Sequence, residues 1–167
     1  MAINMYLKFE DPAGTHAAKG SSKDANHTEW VEILSWSHSF TQPTSPLRST
    51  AGAGTVERAN HSNFNFTKYM DASTDDLLKH CWSGRHFAKA MVEAFRAEET
   101  PVKYLEIEMQ DVVVSNVSFS GGGGDIPIEN IALSYSYIKY VYTQQAEAGE
   151  AGGNQPISHD LTTNTVS

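Results

Sequence analysis

The chain has 167 residues, enough for one domain around one hydrophobic core. Twenty acidic against twelve basic side chains give a net charge of -8, which argues against a nucleic-acid binder and against docking on an anionic membrane surface. No apolar run approaches the ~20 residues that span a bilayer, no basic n-region with an apolar h-region opens the chain, and the single cysteine, Cys81, leaves no internal disulfide and suits a reducing cytoplasm.

Ile3, Met5, Leu7 and Phe9 alternate with Asn4, Tyr6 and Lys8, the period-two signature of a half-buried strand. A polar loop, 11–26, follows. The run Thr28 to Phe40 carries Trp30, Val31, Ile33, Leu34, Trp36 and Phe40. Its apolar phase changes between Ile33 and Leu34, which predicts a bulge there or burial on both faces. Gln42 to Glu57 loses all periodicity: Pro43, Pro46, Gly52 and Gly54 stand among Ser, Thr and Ala. Long structureless stretches in a compact domain are usually functional or disordered.

Phe64 and Phe66 begin a strand that runs to Met70. Ser73 as N-cap, Asp75 and Asp76 in the first turn, an apolar face of Leu77, Leu78, Cys81 and Trp82, and Gly84 as terminator predict a short helix over about 74–82. His86 to Glu99 reads two ways. Phe87, Met91 and Phe95 recur every four residues, and local propensity favours a helix; the same residues also fall on one side of a strand. After Pro101 the chain is β. Leu105, Ile107 and Met109 alternate with Glu106 and Glu108, Val112 to Phe119 continues the run, and Gly121 to Pro127 turns into a last strand from Ile131 to near Tyr142. The segment 143–167 holds only Ile157, Leu161 and Val166 as large apolar residues and reads as a polar tail, mobile unless a partner chain holds it.

Chemistry is sparse. The Gly121–Gly124 run lacks the Lys and Ser or Thr of a phosphate loop and is followed by Asp125, so it reads as a hairpin turn. Metal sites need three or four ligands at recognisable spacing; His80 and Cys81 diverge by about 100° on a helix and His86 does not complete a set. No nucleophile elbow is present, and Glu106 and Glu108 read as solvated exterior. Asn26, Asn60, Asn65 and Asn116 fit the glycosylation triplet, which without an expected signal peptide is chance. The residues alone therefore predict a binding or assembly module with no cofactor, no metal and no enzyme activity.

Trp30-Val31-Glu32-Ile33-Leu34-Ser35-Trp36-Ser37 with Gln42-Pro43 resembles one family. So do Phe64-Asn65-Phe66-Thr67-Lys68-Tyr69-Met70-Asp71, Thr74-Asp75-Asp76-Leu77-Leu78, Lys103-Tyr104-Leu105, Val113 to Gly124 and Glu129-Asn130-Ile131-Ala132-Leu133. In order, from Met1 to about Leu161, they resemble the Hcp (haemolysin-coregulated) tube proteins of bacterial type VI secretion systems. The resemblance implies a mainly β fold, a β-barrel-like pair of packed antiparallel sheets over 1–142 with one short helix alongside, and a polar tail over 143–167. It makes His86–Glu99 a strand. It also implies a homohexameric ring that stacks on other rings inside a contractile sheath, is capped by a spike protein, shelters small effectors in its lumen and is expelled from the cytoplasm without a cleaved signal peptide.

Two sets of residues carry the expected contacts. Pro43, Pro46, Leu47, Arg48, Gly52, Gly54 and Val56 lie in the loop, 42–57, that the resemblance makes a ring-stacking projection. Ser35, Ser37 and Ser39 alternate on the second strand opposite Leu34 and Trp36, and form the candidate lumen and cargo row. A fused toxin domain needs more chain than 143–167 offers. The competing reading is a monomeric β-sandwich ligand-binding module with an apolar pocket.

Overall fold

The computed structural model describes residues 3–44, 57–146 and 151–167. Its strands are β1 (Ile3–Glu10), β2 (His16–Ala18), β3 (Val31–Glu32), β4 (Ser35–Ser37), β5 (Phe40–Thr41), β6 (Asn60–His61), β7 (Phe64–Tyr69), β8 (His86–Arg96), β9 (Val102–Ser120), β10 (Ile128–Ser134), β11 (Tyr137–Gln145), β12 (Ala151–Asp160) and β13 (Thr165–Val166). The helix α1 (Thr74–Ser83) connects β7 to β8. All strand pairings are antiparallel.

The main sheet closes on itself. β1 pairs with β8, β8 with β9, β9 with β10, β10 with β7 and β7 with β4. The run Thr28 to Phe40 supplies the last seam, as three short strands rather than one. β3 pairs with β1 and β4 with β7, and at the predicted break the N–H of Ile33 donates to Met5 O (3.1 Å) while that of Leu34 donates to Thr67 O (2.8 Å). The phase change at Ile33–Leu34 is thus where the chain passes from one side of the barrel to the other, with Ile33 buried and Leu34 exposed. Closure removes the unpaired edges that an open sheet would present.

Leu7, Phe9, Phe64, Phe66, Phe87, Ile107, Met109, Ile131 and Leu133 fill the interior, all at most 2% exposed. The helix expectation for His86–Glu99 from local propensity is corrected: residues 86–96 are strand β8, as the resemblance implied. Register explains why alanines serve there. Ala90 lies between Phe9 and Met109 and Ala94 between Met5 and Leu105, so each small side chain is flanked by two large ones across the sheet. Packing against these neighbours overrides a helix preference of a few tenths of a kcal/mol per residue.

The long strand β9 is bent. Asp111 adopts φ +53°, opposite Ala88 of β8, and here the inward alternation slips from Ile107 and Met109 to Val112 and Val114. Below the bend β9 pairs with β11; above it, with β10. The expected single last strand is accordingly two, interrupted at Tyr135–Ser136, where it follows the bend of β9.

The helix departs from expectation at its N-cap and on its apolar face. Ser73 makes no side-chain cap bond; instead Asp71 Oδ1 accepts from the Ser73 N–H (2.9 Å) and hydroxyl (2.5 Å). Leu77 is buried, Cys81 is partly buried, but Trp82 is 79% exposed and leaves the predicted apolar face. Gly84 terminates the helix in the left-handed region, φ +67°, as expected. The tail is corrected most clearly. Residues 151–160 form β12, paired along β11 from Tyr137 to Gln145, so the polar segment is held by main-chain hydrogen bonds of its own chain.

Candidate binding face

The outward face of the upper barrel is built from β4, β7, β10 and the second half of β9. Register aligns Ser35, Thr67, Asn130 and Ser118 in one row across the four strands, and Ser37, Asn65, Ala132 and Asn116 in the next. A third row contains Tyr69, Ile128 and Ser120. No outward position in these rows carries a charge, although the chain as a whole is strongly acidic. Ser35 Oγ and Thr67 Oγ1 lie 2.6 Å apart, and a shallow depression of about 180 Å³ runs between the two rows. Among the described residues the side-chain amides of Asn116 and Asn130 make no hydrogen bond within the chain and are free to bond a ligand.

Beneath this face the sheet buries charge. Lys68 and Glu129 are both fully buried neighbours on β7 and β10, with Nζ 2.5 Å from Oε2; Lys68 also reaches Asp71 (2.8 Å) and Tyr69 O (3.2 Å). One ammonium thus serves two carboxylates beside the N-terminus of α1, which favours negative charge there.

The lower barrel is the reverse. Its interior around Val92, Ile107 and Met109 is apolar, and its outward face holds Lys103 between Glu93 (3.2 Å) and Glu106 (2.5 Å), Lys89 near Glu108 (3.8 Å), and Lys8 against Glu10 (2.8 Å). The two carboxylates hold the Lys103 ammonium's proton above its ordinary range despite partial burial. His27 pins the 11–30 loop to this half: its Nδ1 meets Asp24 (2.7 Å), its Nε2 meets Glu93 (2.8 Å), and its ring stacks on Tyr6 at 4.3 Å. Glu106 and Glu108, read from sequence as solvated exterior, face outward in these ion pairs.

Of the candidate row, Ser35 and Ser37 are exposed members of β4 and belong to the uncharged face, opposite Trp36, which packs on the core against Phe64. Ser39 lies beyond β4, where its N–H donates to Ser62 Oγ (2.9 Å) and its carbonyl accepts from the Ser62 N–H. The structure adds Asn65, Thr67, Asn116, Ser118 and Asn130, which sequence reasoning missed; their polar positions between apolar ones were the available signal. Of the candidate stacking residues, Pro43 follows β5; Pro46, Leu47, Arg48, Gly52, Gly54 and Val56 lie outside the described residues.

The family model "Type VI secretion system effector, Hcp" matches residues 6–142. The protein hcp1 of Pseudomonas aeruginosa is 35% identical over 156 residues, covering 92% of this chain and 91% of that protein. Among solved structures, Hcp1 from Salmonella typhimurium is 28% identical with a TM-score of 0.80 and full coverage of both chains. A structure described as a type six secretion system protein is 26% identical, with a TM-score of 0.89 over 99% of this chain and all of the other.

Proposed function

Since the chain belongs to the Hcp family of type VI secretion tube and secreted proteins, we propose that its homohexameric rings direct the uncharged upper face toward the channel, stack through the 42–57 segment and travel with small effector cargo. The observation that carries the reading is the pair of uncharged rows. A side chain on a ring wall is repeated in every subunit at close quarters, so a charged wall concentrates one sign of potential and rejects cargo of that sign. Ser35, Ser37, Asn65, Thr67, Asn116 and Asn130 present hydroxyls and amides instead, which hydrogen-bond a passing chain whatever its net charge. Ser39, held to Ser62, supports the rim of this face.

In this reading Pro43, Pro46, Leu47, Arg48, Gly52, Gly54 and Val56 contact the next ring, the assembled tube meets a contractile sheath and a spike protein, and the protein leaves the cytoplasm through that apparatus. The filled barrel interior counts against a monomeric module with an apolar pocket, whose site the packed phenyl and branched side chains would occupy.

The test combines assembly with cargo. Ser37→Gln should leave the ring mass unchanged by light scattering and lower the level of co-expressed effector; unchanged effector levels remove Ser37 from the cargo role. Arg48→Glu, or deletion of Ser49 to Gly54, should abolish stacking or secretion while folding is retained. Normal secretion from the deletion removes the loop from that role.

A further inference from the structure

Five side chains that are far apart in sequence meet where the upper and lower halves join. Tyr140 OH lies 2.5 Å from His38 Nδ1, His38 Nε2 lies 2.7 Å from Tyr135 OH and 3.2 Å from Ser62 O, and Tyr135 OH lies 2.8 Å from His61 Nδ1. His61 Nε2 lies 2.8 Å from His159 Nδ1, whose Nε2 lies 3.2 Å from Asn164 Oδ1. Phe40 covers the group, its ring 4.4 Å from that of His38 and 4.9 Å from that of His61.

The carbonyl of Ser62 fixes the direction of the chain. It can only accept, so the proton of His38 sits on Nε2, and Nδ1 accepts from the Tyr140 hydroxyl. Tyr135 then receives from His38 and donates to His61, His61 donates to His159, and His159 donates to Asn164. The Nε2–H of His38 is shared between Ser62 O and the Tyr135 hydroxyl, every other proton is used once, and no ring is charged. An added proton disturbs this order: on His159 Nδ1 it sets N–H against the N–H of His61, and on Nδ1 of His61 or His38 it faces a tyrosine hydroxyl, which accepts it only by turning its own proton out of the relay.

Among the described residues no carboxylate is paired with His38, His61 or His159 so as to balance such a charge. Arg58 of the segment before β6 donates to Leu161 O, Asp160 of β12 is satisfied by Thr162 and Thr163, and Lys139 of β11 lines the opposite face with Lys103 and Glu106.

We infer that this relay is an acid-released latch that ties three pieces together at neutral pH: the β5–β6 ribbon, the C-terminal strand β12 and the β10–β11 corner. Its members lie on each: His61 on the ribbon, His159 on β12, Tyr135 and Tyr140 at the corner and along β11. Burial, which pulls His38 down to about 4 and with the neighbouring His159 also lowers His61, is consistent with rings kept neutral in the closed form. The ribbon flanks both ends of segment 42–57. Resting on the stacking role proposed above, opening the latch would also weaken ring-to-ring contact, so acid would shorten tubes.

Amide hydrogen exchange of the full chain near pH 7.5 and near pH 5, corrected for intrinsic rates, tests the latch. Protection of Phe40–Thr41, Asn60–His61 and Ser158–Asp160 should fall about tenfold at the lower pH while Val92 and Ile107 keep theirs. A His61→Gln, His159→Gln variant, which cannot titrate at those positions, should lose part of that response and keep the part that His38 carries. Equal protection at both pH values, or a full response in the double variant with β8 and β9 still protected, overturns the latch. Tube length by electron microscopy at the same two pH values separates the readings. Faster exchange with shorter tubes supports both; faster exchange with unchanged tubes keeps the latch and removes the 42–57 segment from stacking.

Discussion

The two halves of strand β9 solve opposite problems with one barrel. Below Asp111 the strand turns Ile107 and Met109 inward and Glu106 and Glu108 outward, and the sheet around it keeps its charge on the surface in Lys–Glu pairs. Above the bend it turns Asn116 and Ser118 outward, and the charge lies inside instead, in Lys68, Glu129 and Asp71. A surface of exposed ion pairs keeps a protein soluble at little energetic gain. A surface cleared of charge, with a buried pair fixing the strands beneath it, gives up that advantage and makes sense where the face looks onto a confined, shared space.

The largest separation of the halves comes from removing one cation from each. Lys68→Met leaves Glu129 and Asp71 uncompensated in the interior and should cost about 3–5 kcal/mol in chemical denaturation, enough to threaten the fold. Lys103→Met, partly exposed, should cost less than about 1 kcal/mol in the same measurement. Comparable losses from both would erase the distinction.

Acid should act next, at the joint between the halves. His38 is depressed from its ordinary 6.5 to about 4 chiefly by burial, so the unfolded chain binds more protons than the folded one in that window. The stability His38 contributes is therefore present above about 6.5 and lost as pH falls through about 4. His38→Gln should flatten the pH dependence of the melting temperature across that range; an unchanged slope would place the acid sensitivity elsewhere.

Charge placed on the outward rows is a subtler probe. Asn116→Asp with Asn130→Asp should leave the melting temperature nearly unchanged and reduce retention of an acidic effector about tenfold, an effect of roughly 1.4 kcal/mol. Glu106→Gln on the lower half should leave retention unaffected. The smallest effect belongs to the start of the helix: Ser73→Ala should change stability less than Asp71→Ala, because Ser73 makes no side-chain cap bond whereas Asp71 holds the Ser73 N–H and hydroxyl and pairs with Lys68.

These contrasts were partly legible in the sequence. Period-two alternation locates β1, β7 and the lower half of β9, because each shows one face to the core and the other to water. The capping acids and Gly84 locate the helix. Strand β8 is hidden by its alanines, whose fit depends on Phe9, Met5, Met109 and Leu105 on neighbouring strands. Strand β12 is hidden because its polar residues contribute main-chain hydrogen bonds rather than apolar area. The uncharged rows and the histidine–tyrosine relay combine positions from several strands, and only register brings them together; Ser35 and Ser37 were recognisable as a row, their partners Thr67 and Asn65 were not.

The claim that the upper face looks into the channel is met most directly by a reconstruction of the assembled ring by electron microscopy, detailed enough to place strands. The account predicts β4, β7 and β10 on the channel wall with Ser37, Asn65 and Asn116 toward the axis, and the Lys103–Glu106 face away from it. A ring with Glu106 and Glu108 lining the channel would contradict it.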